Sequence, residues 1–266
     1  MWPLAFCVVL GAGCGRLGFD PLANGDGARI VDERRDDAST TCASTVGGAA
    51  GMWTLDAADI TGTVVRDRSG NGRDGTLVGT PAPTSVAGRV GEGLDFSATP
   101  LGYVTIPSVP LDSTTGAVTS VSLWMWTDDT NVNEALACIP TGPTTGPPRY
   151  SLWMTHDGGP TSMCINTGDG DCWGLDLPGT VYGRWVHVVV EWVNGPTIGG
   201  RIFVDGVEAT MSCRFGNCNN TRVAMSPFSI ACTDPSYAWH GRLDDVHLYN
   251  RALTTDEVTR LYECAP

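Results

Sequence analysis

The sequence predicts an all-β protein, two antiparallel sheets packed face to face as a jellyroll, closed by one short C-terminal helix. Three observations predict it. Composition favours strands joined by turns, with 34 Gly, 17 Pro and 42% apolar residues. Several runs alternate apolar and polar side chains with period two, and turn signals separate them. Helical start signals stand out in one place, near the end of the chain. At 266 residues the chain is long for an average domain, but all-β sandwiches of roughly 200–250 residues form single domains.

Residues 1–13 are apolar and end in small residues before Cys14. This fits a secretory core and cleavage site and is too short to span a bilayer. The run Leu10, Gly11, Ala12, Gly13, Cys14 resembles the bacterial lipoprotein lipobox, which implies lipidation of Cys14. Residues 15–45 mix charge with Gly and Ala and show no period, so they read as a tether. The globular domain is placed at 46–266. The protein is thus expected to be exported and lipid-anchored to the cell envelope, or otherwise secreted.

Cysteine usage fits export. Apart from Cys7 and Cys14, the Cys residues are even in number, as a disulfide framework in an oxidising compartment would have them. The close pairs Cys164–Cys172 and Cys213–Cys218 suit hairpin staples, and no C-x2-C spacing suggests zinc. Cys42–Cys264 would clip the ends of the domain together, leaving Cys138 with Cys232. The formal net charge of -13, with Arg as the only basic residue other than His, argues against nucleic acid and against adsorption to anionic lipid.

Within the domain, Val121, Leu123 and Met125 oppose Ser122, Trp124 and Trp126, while Leu152 and Met154 oppose Ser151, Trp153 and Thr155. In 185–193 the residues Val186, Val188, Val190 and Trp192 form one apolar face, as expected of a central strand. Asp205-Gly206 is a hairpin turn. Simple alternation in 243–249 puts Asp244 with Val246 and Leu248, and Asp245 with His247 and Tyr249. Thr254 and Glu257 form a capping box, stapled by Leu253 and Val258.

Several motifs resemble one family. They are W-x-L-D at 53–56, D-x-S-G-N-G-x-D-G-x-L at 67–77, GRVGEGLDFSATPLGYVTIP at 88–107, VSLWMWTD at 121–128, the W-x-H-V strand and V-D-G turn of 183–209, and RLDDVHLYNRAL with its helix. Together they resemble the laminin-G-like, concanavalin-A-like lectin/glucanase jellyrolls. The resemblance implies the fold; chemistry has to be argued from residues.

Two calcium readings follow. Asp67, Ser69, Asn71 and Gly72 occupy the first places of an EF-hand-like loop, but Val78 stands where a bidentate Glu is required. The loop reads either as a structural Ca²⁺ site using Asp67, Asn71 and Asp74, or as turns in which Asp and Asn cap their own backbone. Asp244, on an apolar face, must be neutralised, hydrogen-bonded or metal-bound. The family resemblance implies one structural Ca²⁺ between the N-terminal segment and the last strand, pairing Asp244 with Asp56; an Arg or backbone N–H groups would satisfy it equally.

Catalytic constellations are thin. The four His residues have no G-x-S-x-G partner. The E-x-D-x-E run that serves retaining glycosidases of this superfold does not occur, and Glu191 has no acid two or four residues away. Trp124, Trp126 and Trp153 lie opposite the core-facing residues, where indoles either stack on sugar or form a satellite core. The expected function is non-catalytic recognition or adhesion, with glycan or a surface protein as partner. A carbohydrate-active enzyme with an atypical acid pair, or a purely structural domain, is the alternative.

Overall fold

The computed structural model describes residues 46–130, 133–139, 150–156, 160–166, 171–219, 221–222, 227–233 and 235–264. The expected signal segment and tether, including Cys14 and Cys42, lie outside them.

Two large antiparallel sheets make the sandwich. The eight-stranded sheet runs in the order Val207–Glu208, Arg201–Val204, Trp185–Val193, Val118–Trp126, Arg242–Tyr249, Glu92–Asp95, Thr84–Ala87, with Gly51–Trp53 also pairing Arg242–Tyr249. The ten-stranded sheet runs Ser212–Phe215, Cys172–Asp176, Ser162–Asn166, Tyr150–Thr155, Asn133–Ile139, Phe228–Ile230, Tyr103–Ile106, Gly75–Val78, Val64–Val65, Ile60–Thr61. Sequence neighbours often lie in different sheets, as a jellyroll requires.

The core between the sheets is built from the faces that alternation marked. Val121, Leu123 and Met125 meet Leu152, Met154 and Ile165, and Val186, Val188, Val190 and Trp192 extend the same layer. Each large apolar side chain buried here contributes roughly 1.5–3 kcal/mol.

The closing strand Arg242–Tyr249 departs from simple alternation. Its register against Val118–Trp126 shifts between Asp244 and His247, and Asp245 has φ 50°. This β-bulge inserts one residue and reverses the parity upstream of it. Leu243, Val246 and Leu248 face the core, while Asp244 pairs with Trp124 on the outer face. The expectation that Asp244 shares a face with Val246 and Leu248 is therefore corrected.

That outer face is covered by the helix Thr255–Glu263. The Thr254 hydroxyl accepts the Glu257 N–H and the Glu257 carboxylate accepts the Thr254 N–H, the expected capping box. Leu253, Val258 and Leu261 pack with Val46, Val189, Phe203 and Tyr249. Buried Glu191 anchors the entry to the helix by accepting the Leu253 N–H at 2.8 Å while paired with Arg201 at 2.7 Å.

The outer face of the ten-stranded sheet is closed differently. Disulfides join Cys138 to Cys232, Cys164 to Cys172 and Cys213 to Cys218. Trp153 packs there with Ala135, Cys138, Cys232 and Tyr237, and meets Phe215 and Tyr237 edge to face. Cys264 is also disulfide-bonded; Cys42, its expected partner, lies outside the described residues.

Candidate functional site

The segment Gly88-Arg89-Val90-Gly91-Glu92-Gly93 wraps the outer side of Asp244. Arg89 and Val90 donate their backbone N–H groups to Asp244 Oδ2 at 2.6 and 2.9 Å. Glu92 donates its own to Asp56 Oδ1 at 2.7 Å. The glycines permit this approach: a Cβ at Gly88 would lie 2.5 Å from Asp244 Oδ2, and one at Gly91 2.5 Å from Asp56 Oδ1. Asp244 is fully buried, and among the described residues its Oδ1 has no hydrogen-bond partner. Burial first, then the neighbouring Asp245 and Asp56 carboxylates, push its carboxyl well above the usual range against the two N–H donors.

The other expected calcium residues are not part of this cluster. Asp67 Oδ1 accepts N–H groups from Met52 and Ser69, and its Oδ2 accepts from Arg73. Against burial, the Ser69 side chain first and then these backbone donors hold its carboxyl below the ordinary value. Asn71 donates its amide to the Ala49 and Ala50 carbonyls. Both residues serve the turn and tie it to the first strand, as in the reading of the loop as turns that cap their own backbone, and they stand apart from the Asp244 and Asp56 carboxylates. Among the described residues no three His, Cys, Asp or Glu side chains form a group that could hold a metal ion.

Beside the Asp244 clamp lies a pocket of about 440 Å³. Trp124 and Trp126 line it from one strand, and Trp185, directly opposite Trp126 in the ladder, from the next. Tyr262 of the helix stacks on Trp124 with centroids 5.9 Å apart. Arg89 enters from the clamp with its guanidinium 5.1 Å above the Trp124 ring. Arg184 and Asp205 complete the wall, paired at 2.8 Å. Trp124 is nearly inaccessible at 3% exposure and serves as floor. Trp126 and Trp185 are half-buried, and Arg242 stacks over Trp126 at 4.1 Å.

Beneath the pocket His187 tilts against Trp124, with ring centroids 5.0 Å apart, and its Nε2 lies 2.9 Å from the Ser122 hydroxyl. Burial holds its pKa down at about 3, with the nearby His247 acting in the same direction. It is a neutral structural histidine, in keeping with its place between valines.

Of the three tryptophans expected to stack on ligand, Trp124 and Trp126 line the pocket while Trp153 lies on the other sheet. The Trp153 part of that expectation is corrected, because its ring is taken up by the disulfide-bound satellite core. Sequence reasoning missed Arg89, Arg184, Asp205 and Tyr262, which come from a loop, two turns and the helix. The glycine spacing of GRVGEG was the available signal for the clamp.

A family model described as Laminin_G_3, concanavalin A-like lectin/glucanases superfamily, matches residues 99–259. Among solved structures, domain 4 of the GH43 extracellular arabinanase AbnA from Geobacillus stearothermophilus, in complex with arabinotriose, is similar at 19% identity and TM-score 0.56, over 81% of this chain and 98% of that one. Trypanosoma rangeli sialidase in complex with sialic acid is similar at 16% identity and TM-score 0.58, over 86% of this chain. The match spans 37% of the sialidase's length. The botulinum neurotoxin serotype G binding domain is similar at 14% identity and TM-score 0.51, over 81% of this chain and 50% of that one. These likenesses establish a shared fold. A search of the curated proteins finds no match.

Proposed function

This chain belongs to the Laminin_G_3 family of the concanavalin A-like lectin/glucanases superfamily, and on that footing we propose that it is a non-catalytic, extracytoplasmic recognition module whose pocket binds glycan. The observation that carries the reading is the pairing of Trp126 with Trp185 across neighbouring strands at a pocket that also holds the Arg184–Asp205 ion pair. Indole rings offer apolar surface to the C–H faces of a sugar, and a fixed charged pair offers a donor and an acceptor to its hydroxyls. The complexes of the similar arabinanase domain and sialidase with arabinotriose and sialic acid lend the reading support.

Binding is favoured over hydrolysis by the carboxylates. Asp205 is the acid among the pocket-lining residues, where the paired-carboxylate mechanism takes two. Its Oδ1 accepts the His187 backbone N–H and its Oδ2 the Arg184 guanidinium. Glu191 is committed to Arg201 and the Leu253 N–H.

A glycan array probed with the full chain tests the proposal. Hits that weaken in Trp185→Ala and Trp126→Ala, with the melting temperature held, support it; hits that persist unchanged in both move the site elsewhere. Product analysis on the same hits tests the absence of catalysis. A protein partner on the same surface is the outcome if the array is silent and cell-surface binding survives deglycosylation.

Structural calcium is part of the same proposal. The buried Asp244 Oδ1, unpartnered among the described residues, supports a hard cation that takes oxygen ligands, held by fewer than three acidic side chains. Asp244 and Asp56 would hold it, with backbone carbonyls making up the coordination number, and the ion would neutralise the buried charge. Three disulfides among the described residues fit an oxidising compartment, and no described helix is long and apolar enough to cross a membrane. Anchoring through Cys14 is proposed with export; detergent phase partition of the protein, before and after Cys14→Ser, checks it.

A further inference from the structure

The tryptophans differ in what their indole N–H groups do. Trp53 donates to the Arg73 carbonyl at 3.0 Å and Trp173 to the Gly200 carbonyl at 3.1 Å. Trp153, Trp192 and Trp239 keep theirs sealed from solvent in the satellite and central cores. The N–H groups of Trp124, Trp126 and Trp185 do neither: among the described residues they donate to nothing, and they are not sealed. All three residues line the pocket beside the Asp244 clamp.

The lining side chains offer these donors few acceptors. Arg184 is held by Asp205, whose Oδ2 accepts its Nη2 at 2.8 Å while Oδ1 accepts the His187 backbone N–H at 3.1 Å. A carboxylate has about four lone-pair sites, so Asp205 keeps acceptor capacity, on a side chain 24% exposed. The Tyr262 hydroxyl can serve either way. The ring faces are unevenly taken. Arg89 and Tyr262 cover Trp124, and Arg242 covers Trp126, while the Trp185 ring carries no aromatic or guanidinium partner among the described residues.

The pocket thus presents unspent indole donors, a carboxylate with acceptor capacity left, and an open ring face. A hydroxyl that takes an indole N–H must still place its own proton, whereas a carbonyl oxygen accepts twice and has none to place. An acetamido group answers all three features: its carbonyl accepts from an indole, its N–H donates to Asp205, and its methyl lies on the Trp185 ring. We infer that the pocket selects a neutral glycan bearing an N-acetyl group, an N-acetylhexosamine whose acetamido carbonyl takes the N–H of Trp126 or Trp185. This rests on the glycan reading above and narrows it to a ligand class. The ligand needs no charge, because the Arg184–Asp205 pair is already closed.

The test is calorimetric titration of the full chain with pairs of neutral sugars that differ only in carrying acetamido or hydroxyl at C2. Chitotriose is set against cellotriose, and methyl N-acetyl-β-galactosaminide against methyl β-galactoside. The expected result is tighter binding of the acetamido member of at least one pair, by about tenfold, the combined scale of a neutral hydrogen bond and a buried methyl. Trp126→Phe and Trp185→Phe each keep an aromatic ring and remove the donor. Combined in one chain they should lower that ratio about fivefold, the share of the hydrogen bond, with the melting temperature held. If the pair together lowers the melting temperature, the single replacements are read separately, and one of them should carry the loss.

Equal or tighter binding of the hydroxyl member in both pairs overturns the acetamido assignment and leaves the glycan reading standing. So does an acetamido preference that survives both replacements. A correctly folded chain that binds no sugar in these pairs or on the array overturns both.

Discussion

Asp244 and Trp124 stand opposite one another across the two central strands of the eight-stranded sheet, and the carboxylate of the first grips the backbone of Arg89, whose guanidinium covers the ring of the second. One loop thus belongs both to the buried acid and to the pocket. Stability and recognition share its geometry.

The acid is expected to make stability depend on pH and calcium. The carboxyl of Asp244 titrates above its unfolded value, so in metal-free protein its contribution is full below about pH 4 and drains away as pH rises through the folded value. His187, buried and neutral, works the other way, losing stability as pH falls from about 6.5 toward about 3. The difference between wild type and Asp244→Asn isolates the acid. With chelator present, the melting temperature of wild type relative to Asp244→Asn should fall from pH 4 to pH 8, and excess Ca²⁺ at pH 7.5 should restore it. A wild type indifferent to chelator removes calcium; a relative melting temperature flat across that range removes the upward shift of the Asp244 carboxyl.

Gly88→Ala should be costly for a steric reason. The new methyl would sit 2.5 Å from Asp244 Oδ2 and 2.7 Å from the Glu92 carbonyl carbon, which forces the clamp open at about 1–3 kcal/mol. Urea denaturation measures it. Gly179→Ala, with no heavy atom of the described residues within 4 Å of the added carbon, is the control and should stay near wild type.

The two tryptophan surfaces should separate. Trp153→Ala removes a ring from the disulfide-bound satellite core and should destabilise by about 2–4 kcal/mol without altering glycan affinity at the far sheet. Trp185→Ala, on a half-buried ring at the pocket, should do the reverse. Paired denaturation and binding curves on both variants decide whether the faces are independent.

Glu257→Gln should unfasten the helix. The carboxylate holds Arg251 through both oxygens at 2.8 Å and closes the capping box. The Arg251 hydrogen bond, aided by the Thr254 N–H, lowers its pKa to about 2. The stabilisation is therefore present above its ordinary value of 4.5 and lost as pH falls toward about 2. Replacement should cost about 1 kcal/mol at pH 7 and flatten the acid limb of the melting curve between those values.

Much of the sandwich was legible because its information is local. Alternation marked the core faces of Val118–Trp126 and Trp185–Val193, and Thr254 with Glu257 announced the helix, since each depends on residues a few positions apart. Two things were not legible for physical reasons. The bulge at Asp245 leaves no hydrophobic trace, so period-two counting ran through it and put Asp244 on the wrong face. The pocket draws Arg89, Trp124, Arg184, Asp205 and Tyr262 from segments far apart in the chain. Only the three-dimensional crossing of the helix over the sheet gathers them.

The bulge also bears on how the chain can change in length. Residue 245 is the point at which the strand's two-residue frame is reset, so removing it is not equivalent to substituting it. A one-residue deletion there would force Asp244 into the hydrocarbon layer or turn Val246 and Leu248 out to water. Replacement of Asp245 by Gly or Asn, residues at ease at positive φ, would leave the frame intact. In insertion–deletion space this single position is a wall, while in substitution space it is an open door.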